Sequence, residues 1–74
     1  MKRRIRTLNE ILQAGSLMSV AEAAQALALS VPMIYTMARD GRLPFIKVSD
    51  TGVRFDPSEI LDYIDNNRRQ RKVG

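Results

Sequence analysis

Apolar residues recur along this chain first at helical and then at strand spacing. Leu8, Ile11 and Leu12 fall at i, i+3 and i+4 behind Thr7 and Glu10, a pair spaced as a capping box, and Gly15 supplies a stop. The pattern predicts a short first helix. Leu17 and Met18 read as an extended segment. Ser19 and Glu22 then form a second capping box, and Val20, Ala23, Ala24 and Leu27 mark one apolar stripe on a helix of about ten residues. Alanine at 21, 23, 24, 26 and 28 leaves little side-chain bulk, so another helix can approach closely. Leu29 and Ser30 interrupt the stripe. Ser30 suits an N-cap and Pro32 is tolerated in a first turn, so a further helix is expected over about residues 31–39. On it Val31, Ile34 and Ala38 share one face with Met37 beside them, while Pro32, Met33, Tyr35, Thr36 and Arg39 point largely elsewhere. Asp40-Gly41 ends it.

The period then changes from helix to strand. Phe45-Ile46-Lys47-Val48 and Val53-Arg54-Phe55 flank the polar stretch Ser49-Asp50-Thr51-Gly52, which reads as a hairpin. Alternation puts Ile46, Val48, Val53 and Phe55 inward and leaves Lys47 and Arg54 together on an exposed face. Asp56-Pro57-Ser58-Glu59 opens a last helix with a cap, a proline at N1 and an acidic first turn, and Ile60, Leu61 and Ile64 supply its buried stripe. The expected fold is mainly α with a small β-hairpin wing, a winged helix-turn-helix. Its expected extent is residues 8–67, between basic tails at residues 1–7 and 68–74.

With 74 residues there is room for one small core. There is no cysteine, so packing and helix caps must hold the fold. No apolar run approaches the roughly 20 residues that span a bilayer, and the basic start is not followed by a signal-peptide core, so a cytoplasmic protein without a membrane partner is expected. Charge refines the picture. The net charge is +4, but the cations are unevenly placed. Lys2, Arg3, Arg4 and Arg6 precede the apolar pattern and Arg68, Arg69, Arg71 and Lys72 follow it. The stretch from Glu10 to Asp65 holds Arg39, Arg42, Lys47 and Arg54 against all eight acids, a balance of −4. An acidic body with basic ends suits a polyanionic partner through its tails; the alternative is two solubilising tails.

A helix-turn-helix places its second helix in the major groove, with exposed side chains near the N-terminus reaching base edges. Here that helix offers Pro32, Met33, Tyr35, Thr36 and Arg39, and Ser30 at its cap can present N–H groups to a phosphate. Arg39 is the candidate for a strong contact. Met33 or the Thr36 methyl could touch a thymine methyl, and Tyr35 could donate to a phosphate; packing beneath the wing is the alternative for Met33 and Tyr35. Lys47 and Arg54 make the wing a second contact surface, where a phosphate strand or the minor groove would pass. No histidine, no cysteine and no phosphate-cradling glycine loop is present, so no catalytic residue, metal, cofactor or small-molecule ligand is expected.

The run Ser19-Val20-Ala21-Glu22-Ala23-Ala24, with Leu27, Leu29-Ser30, Ile34-Tyr35 and Arg39-Asp40-Gly41-Arg42-Leu43-Pro44, resembles the MerR-like winged helix-turn-helix of phage and transposon excisionases. The likeness continues through Lys47-Val48 and Arg54-Phe55-Asp56-Pro57-Ser58-Glu59-Ile60, over roughly residues 17–65. It implies a recombination directionality factor that binds double-stranded DNA beside an attachment site, bends it and steers a phage integrase toward excision, in cooperation with other copies of itself arranged head to tail. It also implies DNA-facing positions at Val31, Pro32, Met33, Tyr35, Thr36 and Arg39 in the helix and at Lys47 and Arg54 in the wing, where Thr51 is a further candidate. Two departures stand out. Val31 and Pro32 replace basic or small polar residues, and Asp50 at a wing tip without a cation would be repelled by phosphate. The first helix lies outside the shared module; it either completes the core or supports stacking. A small transcriptional regulator of the same fold and an RNA-binding or protein-interaction adaptor are the rival readings.

Overall fold

A computed structural model describes residues 5–70 as four helices and one hairpin in the order α1 (Leu8–Ala14), α2 (Val20–Leu27), α3 (Val31–Arg39), β1 (Ile46–Lys47), β2 (Val53–Arg54) and α4 (Pro57–Gln70). This is a winged helix-turn-helix preceded by one extra helix. Both capping boxes form: Thr7 accepts from the Glu10 amide while Glu10 accepts from Thr7, and Ser19 and Glu22 do the same. Gly15 closes α1 in the left-handed region at φ 67°, where its N–H reaches the carbonyls of Ile11 and Leu12.

The turn between α2 and α3 is made by residues 28–30. Ala28 takes φ 57° and ψ 41°, and the Leu29 N–H bonds the Ala24 carbonyl at 2.9 Å, which satisfies the end of α2 as a left-handed cap does. Ser30 restarts the helix by accepting from the Met33 amide, with proline in the first turn. The chain bends by 100° across this turn, within the range of a helix-turn-helix. Buried Ala23 and Ala24 on α2 and Ala38 on α3 supply the small contacts that the alanine-rich stretch predicts, and α2 packs on α3.

One core joins the four helices and β2. Phe55, Ile11, Met18, Ile34, Leu43 and Ile60 are its largest fully buried side chains. Ile11 brings α1 against α4, so the first helix completes the core. Met18 exchanges backbone hydrogen bonds of 2.8 and 2.9 Å with Phe55, which adds a third strand position on the side of β2 away from β1. Asp56 caps α4 by accepting from the Ser58 amide and hydroxyl, and Ile60 and Ile64 turn inward behind it. Among the described residues no single helix is long and apolar enough to cross a membrane.

Several apolar assignments differ from expectation. Leu12 at 36%, Val31 at 39% and Leu61 at 45% exposure lie off their helices' buried stripes, Ile46 turns to the outer face, and Val48 at 51% faces outward with it. The last follows from register. β1 pairs Ile46 with Arg54 and Lys47 with Val53, so the loop spans residues 48–52 rather than 49–52. A shift of one residue turns every side chain of β1 to the other face. Val53 and Phe55 face the core, whereas Ile46 shares the outer face with Arg54.

Candidate nucleic-acid interface

The outward face of α3 follows from its own periodicity. Ile34, Met37 and Ala38 are buried, and at about 100° per residue the opposite side carries Pro32, Tyr35, Thr36 and Arg39, with Val31 and Met33 at its edges. Met33 at 43% and Tyr35 at 50% exposure both lie open to solvent, and neither is buried beneath the wing. The face is apolar and hydroxylic with one cation, and it bears no carboxylate. Thr36 donates its hydroxyl to the Pro32 carbonyl at 3.0 Å, which fixes its rotamer and leaves the oxygen able only to accept. Arg39 extends freely: its side chain is 77% exposed, and its nearest acid, Asp40, stands 3.8 Å from Nε. Such a solvated contact is weak and screened, so it does not hold the guanidinium back.

Position along the axis divides the face in two. A rise of 1.5 Å per residue puts Arg39 about 12 Å beyond Val31. Residues 31–36 therefore occupy the end of α3 that reaches base edges in this motif, while Arg39 sits at the far end, on the side from which the chain leaves toward the hairpin. Arg42, exposed just past that end, is a cation the sequence reading passed over. Its signal was the Asp-Gly-Arg-Leu-Pro segment, which reads as a linker although Leu43 anchors it in the core and leaves Arg42 outside.

The wing does not have the expected shared cationic face. The register sets Lys47 beside Val53 on one side of the ribbon and Arg54 beside Ile46 on the other, because cross-strand partners share a face. Both cations are exposed, and Arg54 also donates to the Val53 carbonyl at 2.8 Å. They border the two sides of a narrow ribbon. Thr51 is exposed in the loop next to Asp50, and the loop is closed by the Gly52 amide donating to Ser49 Oγ at 2.9 Å.

The tail cations separate into three groups. Lys2, Arg3, Arg4, Arg71 and Lys72 lie outside the described residues. Arg68 and Arg69, read as tail, fall within α4, which runs on to Gln70, and Arg68 is exposed. Arg6 is not a free tail cation. Its guanidinium donates to both carboxylate oxygens of Glu22 at 2.6 and 3.1 Å, to Ser16 Oγ at 2.9 Å and to the Leu17 carbonyl. The Glu22 side chain is 12% exposed, and Arg6 together with the Ser19 amide holds its carboxyl below the ordinary value despite that burial.

Grooves in the surface, of about 310 and 220 Å³, run beside α4, lined by Leu61, Asp62, Ile64, Asp65 and Arg68 and by Pro44, Glu59, Asp62, Tyr63 and Asn66. Neither touches α3. Against this geometry, a family model described as a helix-turn-helix domain matches residues 17–68, from the segment before α2 into the last turns of α4. No curated protein and no solved structure matches the chain significantly.

Proposed function

This chain belongs to the helix-turn-helix domain family, a DNA-binding fold, and from that membership we propose that it is a sequence-specific reader of double-stranded DNA acting as an excisionase. The observation that carries the reading is the outward face of α3. Exposed side chains at positions 32, 35 and 39, with the partly exposed Thr36 among them, form an outward stripe without a carboxylate, on a helix held at 100° to its partner by a three-residue turn. In this reading Val31, Pro32, Met33 and Thr36 meet base edges, with Ser30 and Tyr35 on phosphate. Arg39 and Arg42 take the backbone or a guanine at the far margin. Lys47, Thr51 and Arg54 straddle the next groove, and the exposed Arg68 and the terminal cations add phosphate contacts.

Contacts from a helix and a ribbon on successive grooves favour a curved duplex, which supports bending as part of the role. Other copies of the chain bind beside the first, head to tail, and an integrase acts on the complex. Selection from a random duplex library followed by gel shift tests the DNA reading. Expected is a preferred site bound at least a thousandfold more tightly than bulk duplex, in the range typical of specific binders. Equal binding to all duplexes, or preference for structured RNA, refutes it. The excisionase role is tested by recombination between attachment sites with the neighbouring integrase; binding confined to a promoter, without effect on recombination, identifies a transcriptional regulator instead.

A further inference from the structure

The outward side of α3 is poor in hydrogen-bond donors where it meets base edges. At about 100° per residue, Pro32 and Thr36 lie nearest the middle of the face opposite buried Ile34, Met37 and Ala38, with Met33 and Tyr35 to either side. Arginine, lysine, asparagine and glutamine, the side chains that pair bidentately with guanine or adenine, are absent from residues 31–36. The backbone adds little. Pro32 has no N–H, and the Met33 amide is held by Ser30 Oγ at 3.2 Å. Thr36 brings a hydroxyl to the middle of the face, but its proton already goes to the Pro32 carbonyl at 3.0 Å. What remains there is an oxygen that only accepts, set among apolar groups: the Thr36 methyl and the exposed Val31, Pro32 and Met33.

Each base pair meets such a surface differently. Guanine presents two acceptors, N7 and O6, and an acceptor facing Thr36 Oγ with no proton between them is left unpaired. Adenine presents the N6 amino group, a donor, in the place of O6, and its thymine adds a methyl that apolar side chains can cover. Cytosine N4 also donates, but a C·G pair has no methyl. We infer that Thr36 is the specificity-determining residue of α3 and that it reads an A·T pair, its hydroxyl oxygen accepting from adenine N6 while Val31, Pro32 and Met33 cover thymine methyls. The inference deepens the DNA-binding reading above and rests on it. Pro32 and Thr36 are ~6 Å apart along the axis, close to two base-pair steps of about 3.4 Å. The core of the site is therefore a short run of A·T pairs, and any guanine contact falls outside it, at the end of α3 that carries Arg39.

The test uses the duplex that the wild-type chain selects from a random library, resynthesised with altered bases at its core. The unmodified duplex is compared with one carrying deoxyuridine for thymidine, which removes a methyl, and one carrying purine for adenine, which removes N6 alone. A further duplex carries 7-deazaadenine, which replaces the N7 acceptor by C–H. Affinities are measured for wild type, for Thr36→Val, which removes the hydroxyl and keeps a methyl, and for Thr36→Ser, which keeps the hydroxyl and removes the methyl.

Selection should return A·T pairs at the core. Each uracil should weaken wild-type binding roughly fourfold, the worth of one buried methyl. Purine should weaken it roughly three- to tenfold, the worth of one hydrogen bond, and 7-deazaadenine should leave it unchanged, because Thr36 has no proton to give to N7. Thr36→Val should lose the same factor on the unmodified duplex and nothing further on the purine duplex, whereas Thr36→Ser should respond to purine as the wild type does. A core of G·C pairs, indifference of the wild type to purine, or a Thr36→Val effect that disappears with 7-deazaadenine overturns the assignment while leaving DNA binding intact. Failure of the wild type to select any duplex overturns the DNA-binding reading and the assignment with it. If either variant loses its helical circular dichroism, the wild-type chain decides alone: a loss with purine and none with 7-deazaadenine upholds the assignment, and the reverse overturns it.

Discussion

Replacing Ala28 with glycine should stabilise the protein. Ala28 is the one non-glycine residue with positive φ among the described residues, and it holds φ 57° and ψ 41° at the turn on which the geometry of α3 depends. An L-residue in that region costs about 1 to 2 kcal/mol through the clash of Cβ with the following carbonyl. Glycine removes the clash but gives the unfolded chain more freedom, which costs about 0.4 to 1 kcal/mol. Ala28 is exposed, so its methyl contributes little burial to set against the exchange. The balance lies between about 0 and 1.6 kcal/mol, with a midpoint near 0.8 kcal/mol, which for a domain of this size raises Tm by roughly 3 to 6 °C. Thermal and urea unfolding followed at 222 nm measure it, with DNA affinity as a control that should not fall. Ala28→Val should shift stability the other way, because a branched side chain is less tolerant of this conformation. A lower Tm for the glycine variant would refute the assignment of a strained left-handed cap at this turn.

Gly52→Ala should destabilise the wing, since a Cβ there would stand 2.7 Å from Ser49 Oγ and displace the hydroxyl that closes the loop. The loss is about 0.5 to 1.5 kcal/mol, the worth of one hydrogen bond, and it should shrink in a Ser49→Ala background; an equal loss in both would place the cause elsewhere. Stability should fall in acid. Arg6 lowers the Glu22 carboxyl and Ser58 lowers that of Asp56, so between folded and ordinary values the unfolded chain binds more protons. Urea midpoints should therefore be level above the ordinary values of 4.5 and 3.8 and decline as pH drops through them. Glu22→Gln and Asp56→Asn should each weaken that decline; an increase in stability toward pH 3 contradicts the account. Arg39→Ala should weaken binding to the selected site by about 1 to 3 kcal/mol and relax preference at one base pair if it reads a guanine. A uniform loss across sequences with a salt slope flatter by about 1 would assign it to phosphate.

Much of the fold is readable before any coordinates because its signals are local. Thr7 with Glu10, Ser19 with Glu22, Ser30 before Pro32 and Asp56 before Pro57 each mark a helix start from neighbouring residues, and each start is found in the structure. The errors arise where a fact is not local. Alternation within Phe45–Val48 and Val53–Phe55 cannot tell whether Lys47 or Val48 faces Val53, because the closing Val48 amide to Gly52 carbonyl bond adds Val48 to the loop. That single step separated Lys47 from Arg54. A charge count likewise cannot show that the carboxylate capping Ser19 also binds a guanidinium sixteen positions earlier, and so it placed Arg6 with the tail. Arg68 was misread for another reason: beyond Ile64 the last turns of α4 hold no apolar residue to mark them.

The pairing of Met18 with Phe55 has a mechanical consequence. Met18 immediately precedes the cap of α2, and Phe55 follows directly on the second wing strand, so two backbone hydrogen bonds rivet the root of the ribbon to the root of the helix pair. A load applied at the ribbon is carried straight into α2 instead of being absorbed by a hinge. In the proposed reading, helix and ribbon seated on a duplex act as the two jaws of a stiff wrench, and compliance is left to the DNA.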